Sequence, residues 1–201
     1  MDKTAYLNRL LAIYSGTFDI YKPYAVHGKE YPAYGYFFSS VEKYVLAREA
    51  NLWTSDSYEH VLFLEEEECT IETLQEVQDL WKKYMEPELV CKGKKEPEKN
   101  HMYSYLTIAV ITDRAPGKEI QKLIKKTGFD KGYRFNIRGF SQGHLVVVSM
   151  EDECVYTNQM ARKSKNIFKT AFDDVKKGKI GFEELLTKTN KQAFQQTNIV
   201  E

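Results

Sequence analysis

Residues 103–112 read YSYLTIAVIT and decide the fold of this 201-residue chain. In an extended segment, alternate side chains point to opposite faces, so Leu106 and Ile108 share one face while Ala109 and Ile111 share the other. Apolar side chains on both faces are typical of a strand that is covered on both sides. The segment therefore predicts the central strand of a sheet that lies between two layers.

The flanking sequence alternates between helical and extended periodicities. Helical spacing predicts helices over 2–15, 71–85, 116–127 and 167–175, and a short turn over 182–186. Extended patterns predict strands over 34–40, 42–53, 59–65, 133–138, 145–150 and 155–157. Breakers predict an irregular segment over 15–32, a turn over 54–57 and the end of the second helix at Pro87.

This element order predicts an α+β fold with a single mixed, mostly antiparallel sheet covered by helices, in the order α-βββ-α-β-α-ββ(β)-α. We expect one domain over residues 1–201, with a mobile loop at about 86–100 and a loosely held tail from about 188. The alternative is a two-lobed molecule divided near Asn100.

The chain balances 29 Lys and Arg residues against 29 Asp and Glu residues. This balance excludes a highly charged disordered chain and a uniformly basic nucleic-acid binder. The halves differ, however: residues 1–100 hold 12 basic and 18 acidic residues, and residues 101–201 hold 17 and 11. The second half therefore has room for a locally basic face.

The three cysteines, Cys69, Cys91 and Cys154, are odd in number and widely spaced. This pattern disfavours a disulfide framework and predicts a soluble protein of the reducing cytoplasm. The N-terminal residues lack the features of a secretory signal. The longest uncharged apolar-rich stretch, 101–112, is too short to cross a bilayer, so no membrane association is expected.

Catalytic motifs are missing from the sequence. No glycine-rich nucleotide loop, nucleophile elbow, zinc-protease motif or C-x-x-C pair occurs. The four histidines, at 27, 60, 101 and 144, are scattered, and the acidic run 65–68 fits a solvated strand end. The sequence therefore predicts no cofactor and no metal site, leaves any catalytic residue unknown and leans against an enzyme.

The order helix, three strands, helix, strand over residues 2–112 resembles the core of the PD-(D/E)XK nuclease-like fold. In that fold, carboxylates from the second and third strands bind a divalent metal, and a lysine assists the attacking water. The resemblance would put Glu49 in place of the second-strand acid and Glu59 in place of the third-strand acid. The chain departs from the motif because Val61 follows Glu59 by two positions, so no acid-x-Lys occurs there.

Two groups of residues are candidates for binding. The first is aromatic and offers Tyr21, Tyr24, Tyr31 and Tyr34 as an interaction surface, since tyrosine suits contacts that are apolar on the ring and wet at the hydroxyl. The alternative interpretation is a satellite core under a long loop.

The second group is basic: Lys131, Arg134 and Arg138. Arginines four residues apart on one strand would share a face and could hold phosphate or carboxylate groups. The alternative is that other charges neutralise these cations within the fold.

The sequence as a whole predicts a protein of unknown molecular function, best described as a non-catalytic binding or interaction domain. Its partner would be another protein or a second copy of the chain. One alternative is a metal-dependent enzyme that processes nucleic acid, with the nuclease-like layout. A second alternative is a protein that binds an anionic small ligand or, less expected, nucleic acid.

Overall fold

The computed structural model describes residues 1–43 and 53–197. The α-helices are α1 (Lys3–Tyr14), α2 (Ile71–Asp79), α3 (Lys118–Lys126), α4 (Lys165–Lys176) and α5 (Phe182–Thr197), with a π-helix at Leu80–Val90 and a 3₁₀ helix at Met160–Ser164. The strands are β1 (Asp19–Tyr21), β2 (Tyr24–Val26), β3 (Lys29–Tyr31), β4 (Ala33–Lys43), β5 (Trp53–Glu66), β6 (His101–Thr112), β7 (Asp130–Gly132), β8 (Phe140–Ser149) and β9 (Cys154–Thr157).

The sheet has seven strands among the described residues, in the order β1-β4-β5-β6-β8-β7, with β9 paired to β8 as well. β5, β6 and β8 run parallel, and the other pairs are antiparallel. β2 and β3 form a separate hairpin. The predicted mixed, mostly antiparallel α+β sheet is confirmed, and so is the central place of the 103–112 segment.

The sheet is covered on both faces. We call the side of Leu62, Leu106 and Ile108 the first face, and α2, the π-helix and α3 pack on it. The side of Val61, Phe63 and Ala109 is the second face, where α1 and α4 pack. Two parallel crossovers, one from β5 to β6 and one from β6 to β8, put α2, the π-helix and α3 on the first face.

Gly143 allows the closest approach between the first face and its helices. A Cβ atom at Gly143 would lie 2.8 Å from Cε2 of Trp81 and 2.8 Å from Cβ of Phe129. Trp81 is fully buried there, and its Nε1 donates to the carbonyl oxygen of Leu106 at 2.9 Å. A side chain on β8 at this position would therefore push the π-helix away from the sheet.

The helix predicted over 71–85 does not end at Pro87. It begins after Thr70, whose side chain takes part in a capping box with Thr73, and it continues as a π-helix to Val90. Glu86 and Val90 are buried, and the Cys91 amide donates to the carbonyl oxygen of Glu86 at 3.0 Å. These buried groups stabilise the last turns of the π-helix. The irregular segment therefore begins at Cys91 rather than near residue 86.

Three local predictions were wrong. The segment 15–32 holds strands β1 to β3, because Ile20 pairs with Gly35 of β4 and the chain then turns back as a hairpin. The predicted turn at 54–57 lies within β5, where all four residues pair with β4 and the last two, Asp56 and Ser57, pair with β6 as well. The predicted turn at 182–186 is the start of α5, whose first turn carries the acidic residues that a helix N-terminus favours.

The strand predicted over 133–138 is a turn. Arg134, Phe135 and Asn136 have positive φ values of 48°, 54° and 65°, and only Asp130–Gly132 pairs with β8. Gly139, at a φ of 73°, closes the turn against the Met102 carbonyl oxygen, which would lie 1.9 Å from a Cβ atom.

Most of the strand predicted over 42–53 falls outside the described residues. Within the described residues, no helix is long and apolar enough to span a membrane.

Candidate functional site: a tyrosine pocket on the first face

The hairpin of β4 and β5 places four ring side chains on the first face. Tyr36 lies opposite His60 in the antiparallel register, and Tyr34 lies two residues earlier on the same strand. Tyr58 precedes His60 by two residues on β5, so its side chain has the same orientation. The ring centroids of Tyr36 and His60 are 5.4 Å apart. These rings form the floor of a pocket.

The walls come from the segment around β1 and β2 and from the π-helix. Tyr24 stacks on Tyr34 with 4.4 Å between ring centroids and 19° between ring planes, and its hydroxyl pairs with that of Tyr84. Leu89 of the π-helix closes another side. The cavity has a volume of about 420 Å³. Its lining consists of Tyr21, Tyr24, Tyr34, Tyr36, Tyr58, His60, Glu88, Leu89 and Lys92.

His60 has one paired and one unpaired ring nitrogen. Its Nδ1 lies 2.7 Å from the Tyr34 hydroxyl oxygen. Its Nε2 is buried and has no hydrogen-bond partner in the part of the chain that the structure describes. Burial lowers the pKa of His60 to about 4, and the nearby His101 and Lys92 act in the same direction. The imidazole is therefore neutral near pH 7.

Tyr34 and Tyr84, whose hydroxyl pairs with that of Tyr24, are neutral too. Burial raises the pKa of Tyr34 and of Tyr84 far above the usual value for a tyrosine. The charged lining groups are the exposed Glu88, whose Oε1 lies 2.7 Å from Nε2 of His27, and the exposed Lys92. The interior of the pocket thus offers stacking surfaces and neutral hydrogen-bonding groups.

The predicted tyrosine surface is divided by the structure. Tyr21, Tyr24 and Tyr34 line the pocket, with Tyr21 half exposed and Tyr34 buried. Tyr31 is buried elsewhere, and its hydroxyl donates to Oε1 of Glu76 at 2.9 Å. Its ring lines a different depression, together with Val26 and Glu76.

The predicted interaction surface did not include His60, Tyr36, Tyr58 and Leu89, which also line the pocket. The spacing of 34 to 36 and of 58 to 60 is a period-two signal for a shared face. The pairing of the two strands was needed to bring the rings together.

The basic candidates lie apart from the pocket lining, and each has a carboxylate partner. Arg134 and Arg138 reach Oε2 of Glu96 at 2.8 Å and 3.4 Å. Lys131 reaches the buried Glu86 at 2.8 Å. The two arginines do not share a strand face, because they lie in the turn. Anion binding by these three residues stays a prediction, and these ion pairs oppose it.

The nuclease-like carboxylates are not brought together in the described part of the chain. Glu49 falls outside it, and Glu59 is half-buried on the second face of β5. Among the described residues, no group of three His, Cys, Asp or Glu side chains is arranged to hold a metal ion.

The fold and the pocket define a class of protein: an α+β domain with a mixed sheet covered on both faces and an aromatic cavity against one of them. The chain belongs to the DUF8052 family, a domain of unknown function whose family model matches residues 2–170. No curated protein and no solved structure matches the chain. The matched range includes every residue that lines the tyrosine pocket.

Proposed function

We propose that the protein is a non-catalytic binding domain that holds a flat, uncharged and largely apolar small molecule in the tyrosine pocket. The observation that carries this proposal is an aromatic cavity whose lining includes a buried imidazole, one nitrogen of which has no hydrogen-bond partner among residues 1–43 and 53–197. The cavity volume of about 420 Å³ lies within the range of small-molecule sites, roughly 300–1,000 Å³.

The rings of the pocket floor are uncharged, whereas the charged lining groups, Glu88 and Lys92, are exposed, so the floor favours an uncharged ligand. Transfer of a charged group into such a site without a partner costs several kcal/mol or more. Tyrosine rings instead favour a planar ligand, because ring faces stack at the separations seen between Tyr24 and Tyr34. The site therefore suits an aromatic molecule or a flat polycyclic one.

His60 would contribute the directional contact. A phenol is the better donor of the Tyr34–His60 pair, so the Tyr34 hydroxyl donates to Nδ1 and the ring proton resides on Nε2. An unsatisfied buried donor costs about 1–3 kcal/mol. Nε2 has almost no accessible surface, so the pocket side chains must shift before a carbonyl or ether oxygen of the ligand can reach it and remove that penalty.

The same electrostatics favour binding over catalysis. Proton transfer near pH 7 works best with a group whose pKa lies near that pH. The pKa of His60, about 4, lies below that range, and the raised pKa of Tyr34 lies above it. We infer a cytoplasmic setting from the cysteines, since Cys69, Cys91 and Cys154 are free thiols.

Binding of N-phenyl-1-naphthylamine tests the proposal, because this uncharged naphthalene dye emits strongly only in apolar sites. We expect saturable emission with the parent protein and little with Leu89→Trp, whose larger ring fills the pocket. The matched control is Leu186→Trp on α5, where the same change lies on the exposed surface. Equal emission from all three proteins, or none from the parent, would contradict the proposal.

A further inference from the structure

We propose that the second face of the sheet carries a separate site for a nucleotide unit, with the base lying against the row of rings that contains Tyr105 and the phosphate held by Arg162 and Lys163. This site is independent of the tyrosine pocket, since it opens on the opposite side of β5. The ligand chemistry is a planar nitrogenous base joined to a phosphate. It would be supplied either as a free mononucleotide or as part of a single strand.

The site is a pocket of about 720 Å³ whose floor belongs to three adjacent parallel strands. β5 contributes Glu59, β6 contributes Tyr105, and β8 contributes Gln142 and His144. Residues 159–164 form the opposing wall. The volume lies within the range of small-molecule sites, roughly 300–1,000 Å³.

A row of aromatic rings continues from this floor along β6 and β8. Tyr105 stacks on His144 with centroids 4.7 Å apart and on Tyr103 with centroids 4.6 Å apart. Phe140 lies 6.1 Å from Tyr103. Ala109 further along β6 is fully buried, whereas Tyr103, Tyr105 and Phe140 are only half-buried. Aromatic rings on a sheet are the means by which many proteins hold bases. Because Tyr105 already stacks on Tyr103 and His144, the base would lie across the accessible side of this row of rings.

The wall supplies cations that are free to bind phosphate. Arg162 and Lys163 are exposed, and neither forms an ion pair with a carboxylate in the described residues. This distinguishes them from Arg134, Arg138 and Lys131, which are all paired. Guanidinium and ammonium groups side by side are well suited to phosphate oxygens.

A buried asparagine fixes these cations relative to the sheet. Asn158 is 1% exposed, and its Nδ2 donates to the Gly143 carbonyl oxygen of β8 at 2.9 Å. Its Oδ1 accepts from the Ala161 amide at 3.0 Å, one residue before Arg162. The 3₁₀ helix is thereby anchored to β8, and the phosphate end of the site is held beside the aromatic floor.

Glu59 gives the site a preference among bases. Its half-buried carboxylate has no hydrogen-bond donor among the described residues, and burial raises its pKa. An exocyclic amino group would donate to this carboxylate, while a phosphate would be repelled by it and directed to Arg162 and Lys163. Adenine, guanine and cytosine carry such an amino group, and uracil and thymine do not. We therefore expect AMP to bind more tightly than UMP.

Calorimetric titration with 5′-AMP, 5′-UMP and inorganic phosphate tests the site, and a fluorescein-labelled eight-nucleotide strand of deoxyadenosine tests the second source. AMP should bind at least about tenfold more tightly than phosphate alone, because stacking adds to the charge contacts. A strand that binds more tightly than AMP identifies single-stranded nucleic acid as the source. A strand no tighter than AMP identifies the mononucleotide. Failure of both AMP and the strand to bind would overturn the proposal, and so would equal binding of AMP and phosphate.

Substitutions test whether AMP binds at the proposed site. Arg162→Ala with Lys163→Ala, both at exposed positions, should weaken AMP binding about tenfold or more. Tyr105→Ala should do the same, and Tyr105→Phe, which keeps the ring, should bind nearly as the parent does. The matched control is Arg134→Ala with Arg138→Ala, which removes two cations outside the pocket. If the control loses binding and the Arg162 and Lys163 variant does not, the site is misplaced.

Discussion

Acidification should reveal the buried neutral imidazole of His60 as a loss of stability. The pKa of His60 is about 4 in the folded protein, whereas a histidine in an unfolded chain titrates near about 6.5. Between these pH values the unfolded state binds more protons, so the free energy of unfolding falls as the pH falls. At about 1.4 kcal/mol for each pKa unit, the full loss is on the order of 3 kcal/mol.

The measurement is urea unfolding followed by the fluorescence of the buried Trp81, in the parent and in His60→Phe, between about pH 7 and about pH 4. Phenylalanine keeps a ring in place and removes the titrating group. The Tyr34 hydroxyl loses its acceptor in the variant, but that penalty is the same at every pH. The stability of the parent relative to the variant should therefore fall by about 3 kcal/mol across this range.

Contributions from other titrating groups, including Glu59, cancel in the comparison of the two proteins. His144, whose pKa burial also lowers to about 4, provides an internal comparison on the second face. His144→Phe should remove a similar pH-dependent contribution, and the double variant should remove both. Parallel curves of stability against pH for the parent and His60→Phe would refute the conclusion that burial lowers the pKa of His60 and keeps the imidazole neutral.

Two further predictions concern packing and the buried ion pair. Gly143→Ala should destabilise the fold by about 1–3 kcal/mol, because its Cβ would lie 2.8 Å from Trp81. Gly128→Ala, which meets no atom within 4 Å, is the control in the same urea titration, and equal losses would contradict the packing argument. Lys131→Ala should cost about 1–3 kcal/mol near pH 7, because it leaves the carboxylate of Glu86 without its cation. Burial raises the pKa of Glu86, but hydrogen bonds from Lys131, Cys91 and Tyr133 outweigh that effect and lower the pKa. The stability that Lys131 contributes should therefore fade as the pH drops below about 4.5 and Glu86 becomes protonated. A Lys131→Ala cost that persists in acid would contradict this ion-pair argument.

The elements with strong periodicity were predictable from the sequence. The 103–112 segment is apolar on both faces, and it is the central strand. The 167–175 segment has an apolar stripe, and α4 lies there, packed through Phe168 and Phe172. In both cases the local pattern and the tertiary packing agree.

The segment 133–138 shows where a local pattern misleads. Its apolar and polar residues alternate as in a strand, yet Phe135 is fully exposed and Ile137 is 82% exposed. The turn is set by Gly139, which must approach the backbone of Met102, a residue of β6 that lies 37 positions earlier in the chain. The local sequence pattern of 133–138 cannot predict this long-range contact.

The candidate sites depended on contacts of the same long-range kind. The tyrosine-rich segment was visible in the sequence, but His60 joins it only through the register between β4 and β5. Arg162 and Lys163 are ordinary surface residues by sequence. Their importance comes from the anchor at Asn158 and from the absence of carboxylate partners in the described region.

Neighbouring residues of β5 serve opposite sides of the molecule. Tyr36 pairs with His60 and Phe37 pairs with Glu59, so a single register assigns the imidazole to the first face and the carboxylate to the second. A slip of one residue would exchange the two, because the side-chain period of a strand is two. The carboxylate would then enter the aromatic cavity, and the imidazole would lie beside the cations. One alignment of two strands thus sets the chemical character of both cavities at once.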